Sequence, residues 1–435
     1  MKSLDRRILT LAVPALATLV AEPLLVVADT VIVGMLGTSE LAGLTIASNV
    51  LGVVVGMSIF LAYGTTSTVS RRLGAGDRAG ALQCGIDGMV LGALIGIVLA
   101  SGMALLAPDV LALYGASEAA TGHGVTYLRV VAAGVPAQLV IMASTGVLRG
   151  LQDTRTPLYV MAGITVLNVG LNILFVFGLH LGIGGAALGT AISMWIGGTT
   201  FAVVVFRAGR AEGVGFRVAP GDVLRAARSG GWLVLRSAAL HTALVVTTYS
   251  AAGFGEVSLA AHQAANSVWM TATYAMDALA IAAQALVGLS LGAGDVPAAR
   301  GVLRRVLLWG AGFGALIGLL LVISLPVVPA AFSPDAEVQA VLRATLPVLA
   351  LILPLGAFTF MYDGVLIGAG DARYLSLAAV AATAVYVPFA LWTRAENIGL
   401  PWLWGAYGIW LAARAATLRW RVRTDQWARR VVPDG

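Results

Sequence analysis

Apolar residues run along this chain in long stretches, and charged residues are confined mostly to the short gaps between them. A helix needs about 20 apolar residues to cross a bilayer. Twelve stretches reach that length: residues 8–34, 41–70, 85–107, 125–148, 158–179, 184–206, 229–252, 259–289, 302–330, 340–367, 373–392 and 399–418. The pattern predicts an all-α integral membrane protein with twelve transmembrane helices. The first stretch follows Lys2, Arg6 and Arg7, as a signal peptide would. It is much longer than a signal core of about 7–15 residues, so it reads as a retained first helix.

The charges in the gaps orient these helices. Arg71, Arg72 and Arg78 follow the second stretch, and Arg149 and Arg155 follow the fourth. Arg207, Arg210, Arg217, Arg225 and Arg228 fill the longest gap, after the sixth. Arg300, Arg304 and Arg305 follow the eighth, Arg373 follows the tenth, and Arg419, Arg421, Arg423, Arg429 and Arg430 follow the last. With twelve spans all of these fall on one side, together with Lys2, Arg6 and Arg7. Arg129, Arg343 and Arg394 are the exceptions on the other. The positive-inside rule then makes both termini cytoplasmic. The net charge of +6 is a topology signal rather than a nucleic-acid footprint.

Composition excludes several alternatives. Of 435 residues, 59% are hydrophobic and 11% are charged, against about 25% charged in soluble domains. Such a chain cannot cover a water-facing surface. Cys84 is the single cysteine, and His123, His180, His241 and His262 are scattered. No metal-ligand spacing, phosphate-binding loop, dinucleotide fingerprint or nucleophile elbow occurs. No cofactor or metal is expected, ATP-driven pumping by this chain alone is disfavoured, and no catalytic cluster suggests an enzyme.

The chain also repeats. LGAGD occurs at 73–77 and again at 291–295, an offset of 218. GVLRGLQD (146–153) aligns with GVLIGAGD (364–371), and ELAGLTIASNV (40–50) with SLAAHQAANSV (258–268), at the same offset. Three matches at one spacing indicate a tandem duplication. Residues 1–206 form one six-helix lobe and 229–420 the other. Residues 207–228 form a basic cytoplasmic linker, and 421–435 a cytoplasmic tail. Six helices per half make the repeats parallel, an arrangement suited to alternating access. LGAGD itself reads as a tight turn and helix start. Nothing signals an oligomer, so a monomer is expected.

Ionisable groups inside membrane helices are costly and mark functional candidates. Glu22 and Asp29 lie seven apart on the first helix, on one face. Pro14 and Pro23 are expected to kink it. Asn168, Asn172 and Thr190 lie at a similar depth to Asp29 on the fifth and sixth helices. Together these read either as a proton or Na⁺ site or as a hydrogen-bond cluster that joins helices. In the second half, Asp277, Tyr274 and Gln284 share a helix face, and His241 lies deep enough to pair with Asp277. Arg236 is expected to snorkel, and Asp363 to act as a structural cap. Trp269, Met270, Met194 and Trp195 are candidates for an aromatic cavity that takes lipophilic cations, or else for packing and lipid-facing positions.

On EPLLVVADTVIVGMLG (22–37), GVLRGLQDTRTP (146–157), VLNVGLNILFVFGLHLGIGGAALGTAIS (166–193) and YDGVLIGAGDAR (362–373), the chain resembles the multidrug and toxic compound extrusion (MATE) family. Arg236-Ser237 and TYAMDALAIAAQ point to its DinF-like branch, because the seventh helix lacks the acid of the NorM-like branch. The resemblance implies a V-shaped pair of six-helix lobes in the inner membrane. It implies an antiporter that exports organic cations in exchange for H⁺ or Na⁺. It assigns ion coupling to Asp29, with Asn168, Asn172 and Thr190 around it. Asn172 stands where that branch commonly has Asp, which leaves Asp29, alone or with Glu22, to carry the proton. The competing reading is a flippase or exporter of a lipid-linked or polar metabolite. That would favour a larger, more basic cavity.

Overall fold

The computed structural model describes residues 2–215 and 220–428. Arg217 of the linker and Arg429 and Arg430 of the tail lie outside these residues, as do the side chains of Glu22 and Arg225. The first half contains α1 (Lys2–Gly34), α2 (Thr38–Ser58), α3 (Phe60–Gly74), α4 (Arg78–Ala112), α5 (Glu118–Ala132), α6 (Val135–Gly150), α7 (Arg155–Ile173) and α8 (Gly182–Ala211). A π-turn, Leu174–Gly178, follows α7. The second half contains α9 (Pro220–Ala252), α10 (Glu256–Gly292), α11 (Val296–Ile323), α12 (Val328–Phe332), α13 (Ala336–Gly368), α14 (Ala372–Ala395) and α15 (Leu400–Arg423).

Ten spans are long and apolar enough to cross a membrane, α2 and α3 counting together as one. An eleventh is the pair α5 and α6, bent by 53° at its break. Continuous helix was expected over 125–148, but Gly134 and Pro136 sit at the bend, where a ring without an N–H weakens the ladder. The expected twelfth span is α15. It is 24 residues long, but Arg414, Arg419, Arg421 and Arg423 lower its apolarity. Helix α1 continues through Pro14 and Pro23 over 33 residues.

The chain forms two compact units. One is Val13–Gly230; the other joins Met1–Ala12 to Gly231–Gly435. Helix α1 therefore contributes its first turns to the second unit and the rest to the first. In the first unit α6 packs on α3, α4 and α8, while α2 packs on α5 and α7 on α8. In the second, α13 is the central helix, packed on α10, α11 and α15. Its core includes Trp269, Tyr386, Trp404, Tyr407 and Trp410.

The duplication is written in the backbone. Left-handed residues recur at 218: Gly76 (φ 80°) with Gly294 (φ 72°), and Gln152 (φ 67°) with Gly370 (φ 75°). In both LGAGD turns the Asp caps the next helix. Asp77 accepts from the Gly80 N–H at 2.7 Å and Asp295 from the Ala298 N–H at 2.8 Å. Past the π-turn the offset falls to 217, pairing His180 (φ 54°) with Asn397 (φ 48°) and Gly182 (φ 57°) with Gly399 (φ 105°). A π-turn holds one residue more than the α-helix it interrupts. The extra residue of the first half therefore lies just after Asn172, where α14 runs on as plain α-helix.

One helix crossing is also repeated. A Cβ on Gly146 would lie 2.4 Å from the Ala62 carbonyl, and one on Gly364 would lie 2.5 Å from the Ala280 carbonyl. Ala62 and Ala280 are themselves 218 apart. Close backbone approach through small residues is how helices associate without a hydrophobic driving force in lipid.

Candidate functional site

The intramembrane polar residues of the first half converge. Asp29 on α1 is 5% exposed, and Asn168 and Asn172 on α7 are 1% and 0% exposed. The Asn172 amide Nδ2 donates to Asp29 Oδ1 at 2.6 Å and to Asn168 Oδ1 at 3.2 Å. Asn168 Nδ2 donates to Thr190 Oγ1 at 3.1 Å, and the Thr190 hydroxyl donates to the Ala186 carbonyl at 3.0 Å. The Asn172 amide thus donates both to the carboxylate on α1 and to Asn168, and from Asn168 the donors run outward through Thr190 to a backbone carbonyl of α8. The four-residue spacing of Asn168 and Asn172 puts both amides on one face of α7.

Two features of this site have no counterpart in the reading of the sequence. Tyr127 on α5 is buried and lies close to Thr190 and Asp29. It is one of ten tyrosines, and no spacing sets it apart. Gly189 makes room for Asn172. A Cβ there would fall 2.1 Å from Asn172 Oδ1, a buried oxygen with no hydrogen-bond partner among the described residues. Gly189 precedes Thr190, so one turn of α8 supplies both the hydroxyl and the space. The Glu22 side chain lies outside the described residues.

Chemically, the site holds one buried carboxylate whose hydrogen-bond partner is an amide N–H. Burying a carboxylate is costly unless it is hydrogen-bonded or neutralised. Gaining or losing one proton at Asp29 therefore changes the local balance of forces strongly. No group of three or more metal-ligating side chains occurs among the described residues.

The second half corrects two expectations. Arg236 does not snorkel, and Asp363 does not cap a helix. Arg236 on α9 and Arg414 on α15 both donate to Asp363 Oδ2 on α13, at 2.6 and 2.7 Å, and all three are buried. Guanidiniums inside the bundle can be held only by such partners. Arg414 also lies over the Trp410 ring, 5.2 Å from its centroid. His241 turns Nδ1 to the Ser237 carbonyl of its own helix at 2.9 Å. Asp277 and Tyr274 are half-buried on α10, and Gln284 is fully buried. The Gln284 backbone carbonyl would lie 2.4 Å from a Cβ on Gly368, so its place is a tight helix crossing.

The four aromatic-cavity candidates divide. Trp269 is buried, edge-on to Tyr407 at 5.5 Å and to Trp404 at 6.4 Å. Met270 is exposed, and so is Trp195, whose indole N–H donates to the Ala133 carbonyl at 2.9 Å. Met194 packs against Gly134 at the bend of α5 and α6. Of the arginines that depart from the charge pattern, Arg129 bonds the Ala104 carbonyl at 3.1 Å, and Arg394 stacks on Tyr249, 3.9 Å from the ring centre. Local partners thus hold two charges that run against the orientation signal.

Comparison with known proteins identifies the family. Protein DETOXIFICATION 44, chloroplastic, of Arabidopsis thaliana is 29% identical over 97% of this chain and 83% of its own length. DNA damage-inducible protein F of Escherichia coli is 25% identical over 93% of this chain and 88% of its own. A crystal structure of MATE in the bent conformation superposes with a TM-score of 0.89 at 22% identity, covering 98% of this chain and 96% of that one. The MatE family model matches twice, at residues 14–174 and 233–392, once in each half of the duplication. With both halves matched, the chain belongs to the MatE family, the multidrug and toxic compound efflux transporters.

Proposed function

We propose that the chain is a secondary active antiporter that exports organic cations by alternating access, driven by entry of H⁺ through Asp29. The observation that carries this reading is the buried Asp29 carboxylate with the Asn172 amide N–H at 2.6 Å. Intramembrane acids are rare and commonly mark ion pathways. A Na⁺ site would need several oxygens converging on the carboxylate. At Asp29 the neighbouring amide presents nitrogen, and its oxygen lies against Gly189. A single carboxylate facing an amide donor suits H⁺, and the gradient experiment below separates H⁺ from Na⁺. Asn168, Asn172 and Thr190 hold the carboxylate in place, and Tyr127 closes the site from α5. The names of relatives such as DETOXIFICATION 44 favour small toxic compounds as cargo. We place the protein in a cytoplasmic membrane with both termini inside, from the charge asymmetry.

The test is ethidium efflux from proteoliposomes under an imposed proton gradient or an imposed Na⁺ gradient, for wild type and Asp29→Asn. Export driven by the proton gradient and lost in Asp29→Asn is the expected result. Export driven by Na⁺ alone overturns the ion. Equal export by the variant overturns the residue.

A further inference from the structure

Near its start α1 carries a second acid that the transport site does not use. Asp5 meets Arg305 and Trp309, both on α11. The Arg305 guanidinium takes both carboxylate oxygens of Asp5 through Nε and Nη2, and the Trp309 indole N–H donates to Asp5 Oδ1 at 3.0 Å. A bidentate arginine–carboxylate pair fixes orientation as well as distance. Arg305 and Trp309 lie four apart on one face of α11, so a single carboxylate is gripped by two successive turns. Behind the grip, Ile8, Leu11 and Ala12 are buried at helical spacing. All of these residues belong to the unit formed by Met1–Ala12 and Gly231–Gly435.

Asp29, on the same helix, belongs to the other unit. It is held there by Asn172. One continuous helix therefore has each end fastened by a carboxylate, in a different compact unit. Helix α9 also crosses the division, but no comparable pair of buried or gripped acids occurs on it among the described residues.

We propose that Asp5 is a positioning residue for transport: gripped by Arg305 and Trp309, it anchors α1 to the unit that lacks Asp29. Through this anchor a protonation event at Asp29 is delivered to that second unit. Without it, α1 responds to the proton while the second unit is left behind. The inference rests on the antiporter reading and adds a residue that touches neither ion nor cargo. Its signature is uncoupling rather than loss of binding. Proton entry continues while export per proton falls.

The experiment compares wild type, Asp5→Asn, the exchanged pair Asp5→Arg/Arg305→Asp, and Asp29→Asn in proteoliposomes. Internal pH and ethidium are followed together, and ethidium binding is measured separately in detergent. Asp5→Asn is expected to bind ethidium as wild type does, to export it severalfold more slowly, and to let in more protons per molecule exported. The exchanged pair is expected to recover most of the coupling. Asp5→Asn with an unchanged ratio of protons to ethidium overturns the anchor, as does an exchanged pair no better coupled than Asp5→Asn.

A further variant covers the case in which the exchanged pair does not fold. Asp5→Cys/Arg305→Cys on a Cys84→Ala background is joined by a bifunctional methanethiosulfonate linker that spans the length of the lost ion pair. Coupled export in the linked protein supports a permanent anchor. Loss of export on linking, reversed by reduction, overturns it. If wild type itself moves nothing under either gradient, the antiporter reading has failed. If wild type works and Asp29→Asn does not, a normal Asp5→Asn removes the anchor alone.

Discussion

The two halves of the molecule share a backbone plan and differ in what they bury at matching positions. Counting 218 residues on, Asp29 becomes Thr247 and Asn168 becomes Tyr386. With the one-residue slip after the π-turn, Thr190 becomes Tyr407. The second half thus answers the carboxylate–amide chain with neutral hydroxyls. Thr247 and Tyr386 share a hydrogen bond of 2.6 Å, and Tyr407 packs edge-on against Tyr386 at 6.0 Å. Toward the other end of the helices the contrast reverses. Thr18 and Thr145 of the first half correspond to Arg236 and Asp363 of the second. The Asp29 site and the Arg236–Asp363–Arg414 cluster occupy opposite ends of the repeat, and neither is the sole buried charge of its half: Asp87 and Arg149 are buried in the first, and Asp371 and Arg421 pair at 2.6 Å in the second. A titratable acid without a cation beside it suits ion exchange. An acid gripped by two guanidiniums suits permanent structure.

This contrast can be broken by exchanging roles. The largest effect is expected from Asp29→Asn, which removes gradient-driven efflux. Thr247→Val at the matching position leaves efflux within about twofold, since it removes one neutral hydrogen bond worth about 1 kcal/mol. Efflux rates in matched proteoliposomes decide between them.

Next comes Asp363→Leu, which takes away the carboxylate that both Arg236 and Arg414 bind. Breaking a buried ion cluster in this way costs about 3–5 kcal/mol, read as a large drop in the melting temperature of the purified protein. Thr145→Val, at the matching position in the first half, costs about 1 kcal/mol. Equal losses from the two would show that the second-half cluster is not structural.

Tyr386→Phe removes the hydrogen bond to Thr247 and keeps the ring packing, so about 1 kcal/mol of stability is expected to go, with transport retained. Last, the two turns should behave alike. Asp77→Ala and Asp295→Ala each remove a helix cap worth about 1 kcal/mol. Asp77 also pairs with Arg72 at the surface, at 2.9 Å, where the second turn has Ser290, so only a difference in melting temperature equivalent to more than about 1 kcal/mol would show that the repeated turns have diverged in role.

Much of this was legible in the sequence, and for identifiable reasons. Apolar run length predicts a membrane helix because lipid leaves the backbone no other partner. The repeat shows in LGAGD because a left-handed glycine followed by a capping Asp is demanded by the turn itself. Asp29, Asn168, Asn172 and Thr190 could be grouped because depth along a helix can be counted. Lateral pairing cannot be counted in this way. Arg236, Asp363 and Arg414 come from three helices, and no spacing along the chain reveals that their side chains point at one another. Tyr127 escaped for the same reason. The bend between α5 and α6 did leave a signal in Gly134-Val135-Pro136, hidden inside an apolar run. The π-turn left a fainter one, the slip of a single residue between the two halves.

The length of α1 has a mechanical consequence. Asp5 and Asp29 are 24 positions apart, which at 1.5 Å per residue is about 36 Å of helix, a length that acts as a rod only so far as Pro14 and Pro23 within it do not bend it. If such a rod tilts by about 10° about one fastened end, simple geometry carries the other end through roughly 6 Å, more than one helical turn. A hydrogen bond at Asp29 would shift by far less than that on a change of one proton. Leverage along α1 would thus convert an atomic adjustment at one carboxylate into a movement on the scale of a small molecule.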